Sequence, residues 1–163
     1  MGHIDSTQAA TIEVPVNQPT IEAAVSVANN GDTILVHDGT YVENISVIGK
    51  SITIQSINGA ASTIIDGNRL GSVIFFQNST ASLNGFTVRN GAGSWGSGGG
   101  VHCVGSSSTP TIAICLIDSN TAQSDGGGIC GQSPVVERCQ ITANSARGGG
   151  GCTRHSSSGA AGS

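Results

Sequence analysis

Charge is scarce in this chain, and so are aromatic rings. Only 10% of its residues are charged and 3% aromatic, with a single Met, Trp and Tyr. Six basic residues against ten acidic ones leave a net charge of −4. That argues against a nucleic-acid partner, because phosphate binding needs clustered Lys and Arg. No run of about 18 apolar residues occurs, so no membrane span is expected. The Leu, Glu and Lys wealth of a helical bundle is missing too. Five cysteines are present without a C-x-x-C pair, which argues against zinc. No metal or cofactor is expected. The regular Val and Ile content in turn excludes a disordered chain.

What the chain has instead is glycine, 25 of them in 163 residues, and a segment written twice. Residues 109–122 and 133–146 match position by position: Pro110 with Pro134, Ile112 with Val136, Cys115 with Cys139, Ile117 with Ile141, Asn120 with Asn144 and Ala122 with Ala146. A glycine run follows each copy, Gly126-Gly127-Gly128-Ile129-Cys130 and then Gly148-Gly149-Gly150-Gly151-Cys152. An internal period of roughly 20–50 residues is the mark of a solenoid.

Ahead of the repeats, Ile21, Ala24, Val25 and Ala28 share one helical face, which predicts a capping helix over about residues 20–29 with Thr20 as N-cap and Asn30-Gly31 as the stop. Such a helix lids the first turn of a coil. Short β-rich runs then alternate with Asp-Gly, Asn-Gly and Gly-Asn corners, from Thr33–Val36 through Thr53 and Ile65 to Val88. A hairpin meander has no reason to return a proline, a cysteine and an asparagine at one interval, whereas stacked coils do. Ile34-Val36, Ile52-Ile54, Phe86-Val88, Cys115-Ile117 and Cys139-Ile141 are expected to form one column. The fold class is therefore all-β, a parallel β-helix over residues 12–152. Residues 1–11 are read as a leader or cloning remnant, and 153–163 as a Gly/Ser/Ala tail that cannot cover the end of a coil.

The run Pro19-Thr20-Ile21-Glu22-Ala23-Ala24, then Asn30-Gly31-Asp32-Thr33-Ile34-Leu35-Val36, Gly39-Thr40-Tyr41, Ser51-Ile52-Thr53-Ile54 and Thr63-Ile64-Ile65-Asp66-Gly67, resembles the opening of right-handed parallel β-helix proteins of the pectin-lyase-like superfamily. The later Cys-x-Ile-x-x-Asn-x-Ala and Gly-Gly-Gly-Ile units resemble repeats of its secreted bacterial members. The resemblance implies right-handedness and a secreted or cell-surface location. It does not imply an activity, because one scaffold hosts lyases, hydrolases, epimerases and non-enzymes. The family's catalytic marks, a Trp-Ile-Asp-His stretch or an adjacent aspartate pair with a Gly-His-Gly turn, do not occur. An enzyme is not the favoured reading.

Several residues were weighed for roles. Asp32 and Asp66 stand in Gly-Asp or Asp-Gly corners, where a carboxylate caps backbone amides. Asn120 and Asn144 recur at one position and are expected to hydrogen-bond up and down a stack. Cys115 with Cys139, and Cys130 with Cys152, are expected to lie on successive rungs facing the interior as thiol stacks, although a disulfide between rungs is geometrically open. Cys103 falls one place out of register with Cys130. Trp95, in the loop Gly91-Ala92-Gly93-Ser94-Trp95-Gly96-Ser97, either stacks on a sugar ring or folds back over the coil, and His102 just beyond could join it. A flat Thr array is approached only by Thr53 and Thr63. The expected function is a non-catalytic β-helix module that contacts polysaccharide. Two alternatives stay open: the front part of a polysaccharide lyase or hydrolase with its active site elsewhere, and an adhesin or passenger segment that binds protein. Self-association through the C-terminal end of the coil is a further expectation.

Overall fold

A computed structural model describes residues 8–148; Cys152 and both terminal segments lie outside them. Among the described residues the chain is predominantly β, with every strand pair parallel and one short helix. The strands form stacked sheets, an arrangement consistent with a β-helix-like solenoid. A six-stranded sheet runs through Thr11–Val14, Thr33–Val36, Thr53–Ser56, Ser82–Asn84, Thr111–Ala113 and Val135–Glu137. A five-stranded sheet holds Gly39–Val42, Thr63–Asp66, Thr87–Arg89, Leu116–Asp118 and Gln140–Thr142. A four-stranded sheet holds Ile45–Ile48, Ile74–Gln77, Val101–Val104 and Ile129–Gly131. Three two-residue strands, Ala92–Gly93, Thr121–Ala122 and Ser145–Ala146, make the last.

Each strand bonds to its counterpart one coil away, not to its neighbour in sequence. Ser82 faces Thr53 at a separation of 29 residues, and Cys115 meets Cys139 at 24. Alternation along each strand sends one file of side chains inward. Ile34, Ile54, Leu83 and Ile112 line the six-stranded sheet, Ile65, Val88 and Ile117 the five-stranded one, and Ile45, Ile74 and Val101 the four-stranded one, all essentially buried. The column expected from sequence is thus two columns. Ile34 and Ile54 belong to one sheet, Val88 and Ile117 to another. The two strands of a coil carry the same inward alternation, and unequal loops hide which matches which.

Corners separate the sheets, and three of them repeat a left-handed residue. Gly85, Ile114 and Arg138 follow the six-stranded sheet with φ of 78°, 52° and 50°. Asn90, Ser119 and Ala143 follow the five-stranded sheet at 55°, 56° and 48°. Gly49, Asn78 and Gly105 follow the four-stranded sheet at 64°, 47° and 98°. A β-branched Ile in this region is uncommon. Its place is imposed by the pairing on either side, where the Gly85 N–H donates to the Ala113 carbonyl at 3.1 Å and the Ile114 N–H to Glu137 at 3.0 Å.

The helix spans Ile21–Val27, shorter than expected, with Ile21, Ala24 and Val25 buried. It packs against Thr11–Val14, Thr33–Val36 and Ile45–Ile48. Thr20 Oγ1 accepts from the Ala23 N–H at 3.0 Å, as an N-cap does. Two residues from the following coil complete it. The Glu43 carboxylate accepts from the Ile21 and Glu22 N–H groups at 3.1 and 2.8 Å. The Lys50 ammonium donates to the carbonyls of Val25, Ser26 and Ala28. An anion at the N-terminus and a cation at the C-terminus satisfy the orphan backbone groups and oppose the helix dipole. Asp32, buried, accepts from Ala10 and Asn29 N–H at 2.8 Å each, and these bonds hold its carboxyl below the usual range.

Asn120 and Asn144 bind the coils together at the second corner. Asn120 Oδ1 accepts from the Gly91 N–H at 2.8 Å, and its Nδ2 donates to Val88 O at 3.0 Å. Asn144 repeats the pattern one coil later: its Oδ1 accepts from the Asn120 N–H at 2.9 Å, and its Nδ2 donates to Ile117 O at 2.7 Å. Asn120 Nδ2 also reaches Asn144 Oδ1 at 3.0 Å. The glycine runs leave room for close backbone approach and for these amides. A Cβ on Gly100 would lie 2.6 Å from the Gly128 carbonyl oxygen and 2.9 Å from Asn120 Nδ2, and one on Gly128 3.0 Å from the Ile141 side chain and 3.1 Å from Asn144 Nδ2. Asn120 is wholly buried. Replacing it with Ala strands the Gly91 N–H and Val88 carbonyl, so Asn120→Ala is expected to cost about 1–3 kcal/mol in urea unfolding.

Candidate functional site

The outward face of the four-stranded sheet carries the residues most suited to contact a ligand. Ser46, Phe75, His102 and Cys130 are in register on it. The Phe75 and His102 rings stand 5.5 Å apart between centroids, tilted by 53°. Beside them is a hollow of about 330 Å³, bordered by Leu70, Ser72, Phe75, Ala92, Ser94, Ser97 and His102. Leu70 is 77% exposed, an unusual state for a leucine beside two rings. Trp95 is also 77% exposed, so its indole is not folded over the coil. It does not border the hollow, although its loop neighbours Ser94 and Ser97 do.

A second hollow of about 370 Å³ shares Ala92 with the first. Its floor is the sheet of two-residue strands, small by composition (Gly93, Thr121, Ala122, Ser145), and Arg69, Arg147 and Gln123 also border it. Sequence inspection did not find this hollow. Arg69 and Arg147 are far apart along the chain, and only stacking of the coils brings both to one trough.

Several acids are engaged within the fold, with backbone or with neighbouring side chains. Burial pushes the Asp66 carboxyl up, but hydrogen bonds from the Asn68 N–H, Asn90 and Arg89 outweigh it and leave the group below its ordinary value. Arg89 Nε lies 3.0 Å from Asp66, so this arginine is paired within its sheet. Glu13 meets His37 at 2.8 Å, and Asp38 accepts from Asn58 at 3.0 and 3.1 Å. Among the described residues no group of three His, Cys, Asp or Glu could hold a metal ion.

The cysteines differ from one another. Cys115 and Cys139 are reduced, buried and vertical neighbours, with the Cys115 N–H donating to Cys139 Sγ at 3.4 Å. The neighbouring Cys139 side chain, and then burial, push the Cys115 thiol up; the Cys115 side chain draws Cys139 down against its own burial. Cys130 corrects the expectation of a thiol stack: it is disulfide-bonded, and it sits opposite His102 on the strand face away from inward Ile129. Cys103, one place on, points inward and pairs with Gly131, and burial pushes its thiol up to about 12. The apparent slip of one residue between Cys103 and Cys130 is real, because the two occupy opposite faces.

Hydroxyl pairs on the six-stranded sheet also escaped notice. Ser51 and Thr53, Thr80 and Ser82, and Thr109 and Thr111 succeed one another coil by coil. Ser51 Oγ bonds Thr80 Oγ1, and Ser82 Oγ lies 3.4 Å from Thr53 Oγ1. The hydroxyl-x-hydroxyl spacing in each coil was the available signal. Thr63, once grouped with Thr53, is instead fully buried in the five-stranded sheet.

No family model, no curated protein and no solved structure matches this chain. The site must therefore be read from its own chemistry.

His102 offers one handle on that chemistry. Burial holds its imidazole below the ordinary value of 6.5, so the folded chain resists protonation that the unfolded chain accepts. Stability is expected to be full above about pH 6.5 and to decline as the pH falls towards the folded value. Solvent screening discounts the contribution, since the ring is only half-buried. Thermal melts at stepped pH should show a shallower acid decline for His102→Gln than for the wild type.

Proposed function

We propose that this chain is a right-handed parallel β-helix of the pectin-lyase-like kind, serving as a non-catalytic module that contacts polysaccharide on a secreted or cell-surface protein. Right-handed crossover is the strong general preference for parallel strands joined in this way, and the Cys-x-Ile-x-x-Asn-x-Ala units support the family reading. The observation that carries the function is the apolar, ring-bearing border of the hollow, exposed Leu70 with the Phe75–His102 pair, together with the exposed Trp95 indole in the loop that supplies Ser94 and Ser97. An indole face stacks on the C–H face of a sugar, and neighbouring hydroxyls such as Ser72, Ser94 and Ser97 suit sugar hydroxyls. The second hollow shares Ala92 with the first, and two neighbouring hollows suit a linear polymer better than a compact ligand. The acids support a non-catalytic role, because Asp32 and Asp66 are committed to backbone amides.

A glycan array of plant, algal and bacterial polysaccharides tests this reading. Binding is expected to at least one linear glycan, and Trp95→Ala should weaken it about tenfold, the worth of one aromatic stacking contact. Binding that ignores Trp95→Ala, or an array without signal, contradicts the proposal.

A further inference from the structure

We propose that Cys115 and Cys139 form an intramolecular dithiol redox site, closed to a disulfide by a peroxide and reopened by a small dithiol. They are the two equivalent cysteines of the repeat, placed on adjacent coils at the corner after the six-stranded sheet. In-register neighbours on parallel strands sit about 4.8 Å apart, inside the range a disulfide requires between Cα atoms. The Cys115 N–H already donates to Cys139 Sγ at 3.4 Å, so the two residues meet across the coils. Forming the bond therefore asks for a side-chain adjustment.

The surroundings assign the two sulfurs different parts. Cys139 Sγ accepts from the Cys115 N–H at 3.4 Å, which favours its thiolate. Cys115, more deeply buried, keeps its proton. As thiols, Cys115 donates towards the Leu83 and Ala113 carbonyls and Cys139 towards those of Ile112 and Glu137, bonds that Cys139 gives up when it ionises. Cys139 is the more exposed of the two, at 8% against 3%.

The Cys139 thiolate attacks one peroxide oxygen, an S–O bond forms, the O–O bond breaks, and the departing hydroxide takes up a proton as water. The Cys115 sulfur then attacks the Cys139 sulfur. The S–S bond forms, the S–O bond breaks, and the second hydroxide leaves with the Cys115 proton as another water. Each sulfur gives up one electron, and the peroxide accepts both. Cys103 cannot compete, since it lies in a different sheet with a thiol pushed up to about 12. The disulfide that holds Cys130 is already formed.

The full chain, treated with graded hydrogen peroxide and then alkylated under denaturing conditions, tests this by tandem mass spectrometry. The expected result is one new cross-link between Cys115 and Cys139, a melting temperature higher than that of the untreated protein, and reversal of both by dithiothreitol. Cys103 stays alkylatable throughout. In folded Cys115→Ser, Cys139 should instead accumulate as a sulfenic acid captured by dimedone, while Cys139→Ser should leave Cys115 unmodified. Peroxide that leaves both thiols alkylatable in the wild type, or that carries Cys139 to sulfinic acid without a cross-link, overturns the proposal.

Discussion

Vertical register is the constraint from which the rest of this structure follows. Each strand's backbone bonds are made with the coil before and the coil after, so a residue type succeeds only if it can lie on a copy of itself or on something of the same shape. Branched aliphatics meet that demand inside, where Ile34, Ile54, Leu83 and Ile112 stack in one file. Asparagine meets it at the second corner, because its amide can accept from one backbone N–H and donate to one carbonyl on the coil beneath. Asn120 and Asn144 do this identically. The scarcity of charge has the same origin, since like charges stacked at strand spacing repel. Where charges of opposite sign face each other in register, as Asp66 and Arg89 do, the pair is tolerated.

The parts of the fold that were legible in the sequence are those that obey this constraint without interruption. The last two coils have nearly identical lengths between landmarks, so Cys115 over Cys139 and Asn120 over Asn144 could be read directly. Earlier coils differ in loop length, from 20 residues between Asp38 and Asn58 to 29 between Thr53 and Ser82, and there the columns were confused. Left-handed corners were legible where an Asn-Gly pair marks them, as at Asn90, but not at Ile114 or Arg138. No local preference puts Ile114 there; the strands on either side of the corner do. The helix was visible from its apolar face, whereas its outer caps, Glu43 and Lys50, come from about 20 residues further on and bear no local signature.

The candidate site was legible only in fragments. Trp95 stood out because a lone indole in a glycine-rich loop is conspicuous. His102 was suspected from proximity in sequence. Phe75, Leu70, Arg69 and Arg147 were not: the first three share one coil, Trp95 and His102 lie on the next, and Arg147 follows the last strand, so nothing in a linear reading brings them together. A solenoid builds surfaces from residues about 20–30 apart, and such surfaces are invisible until the register is known. The cysteines illustrate the same point: Cys103 and Cys130 differ by one place along their strands, and that single place turns one inward and the other outward.

The pairing itself is best tested by inter-strand nuclear Overhauser effects on isotopically labelled protein. The account predicts backbone contacts from Ser82–Asn84 to both Thr53–Ser56 and Thr111–Ala113, in parallel register. Contacts from Ser82–Asn84 to Thr87–Arg89 in an antiparallel hairpin would contradict it.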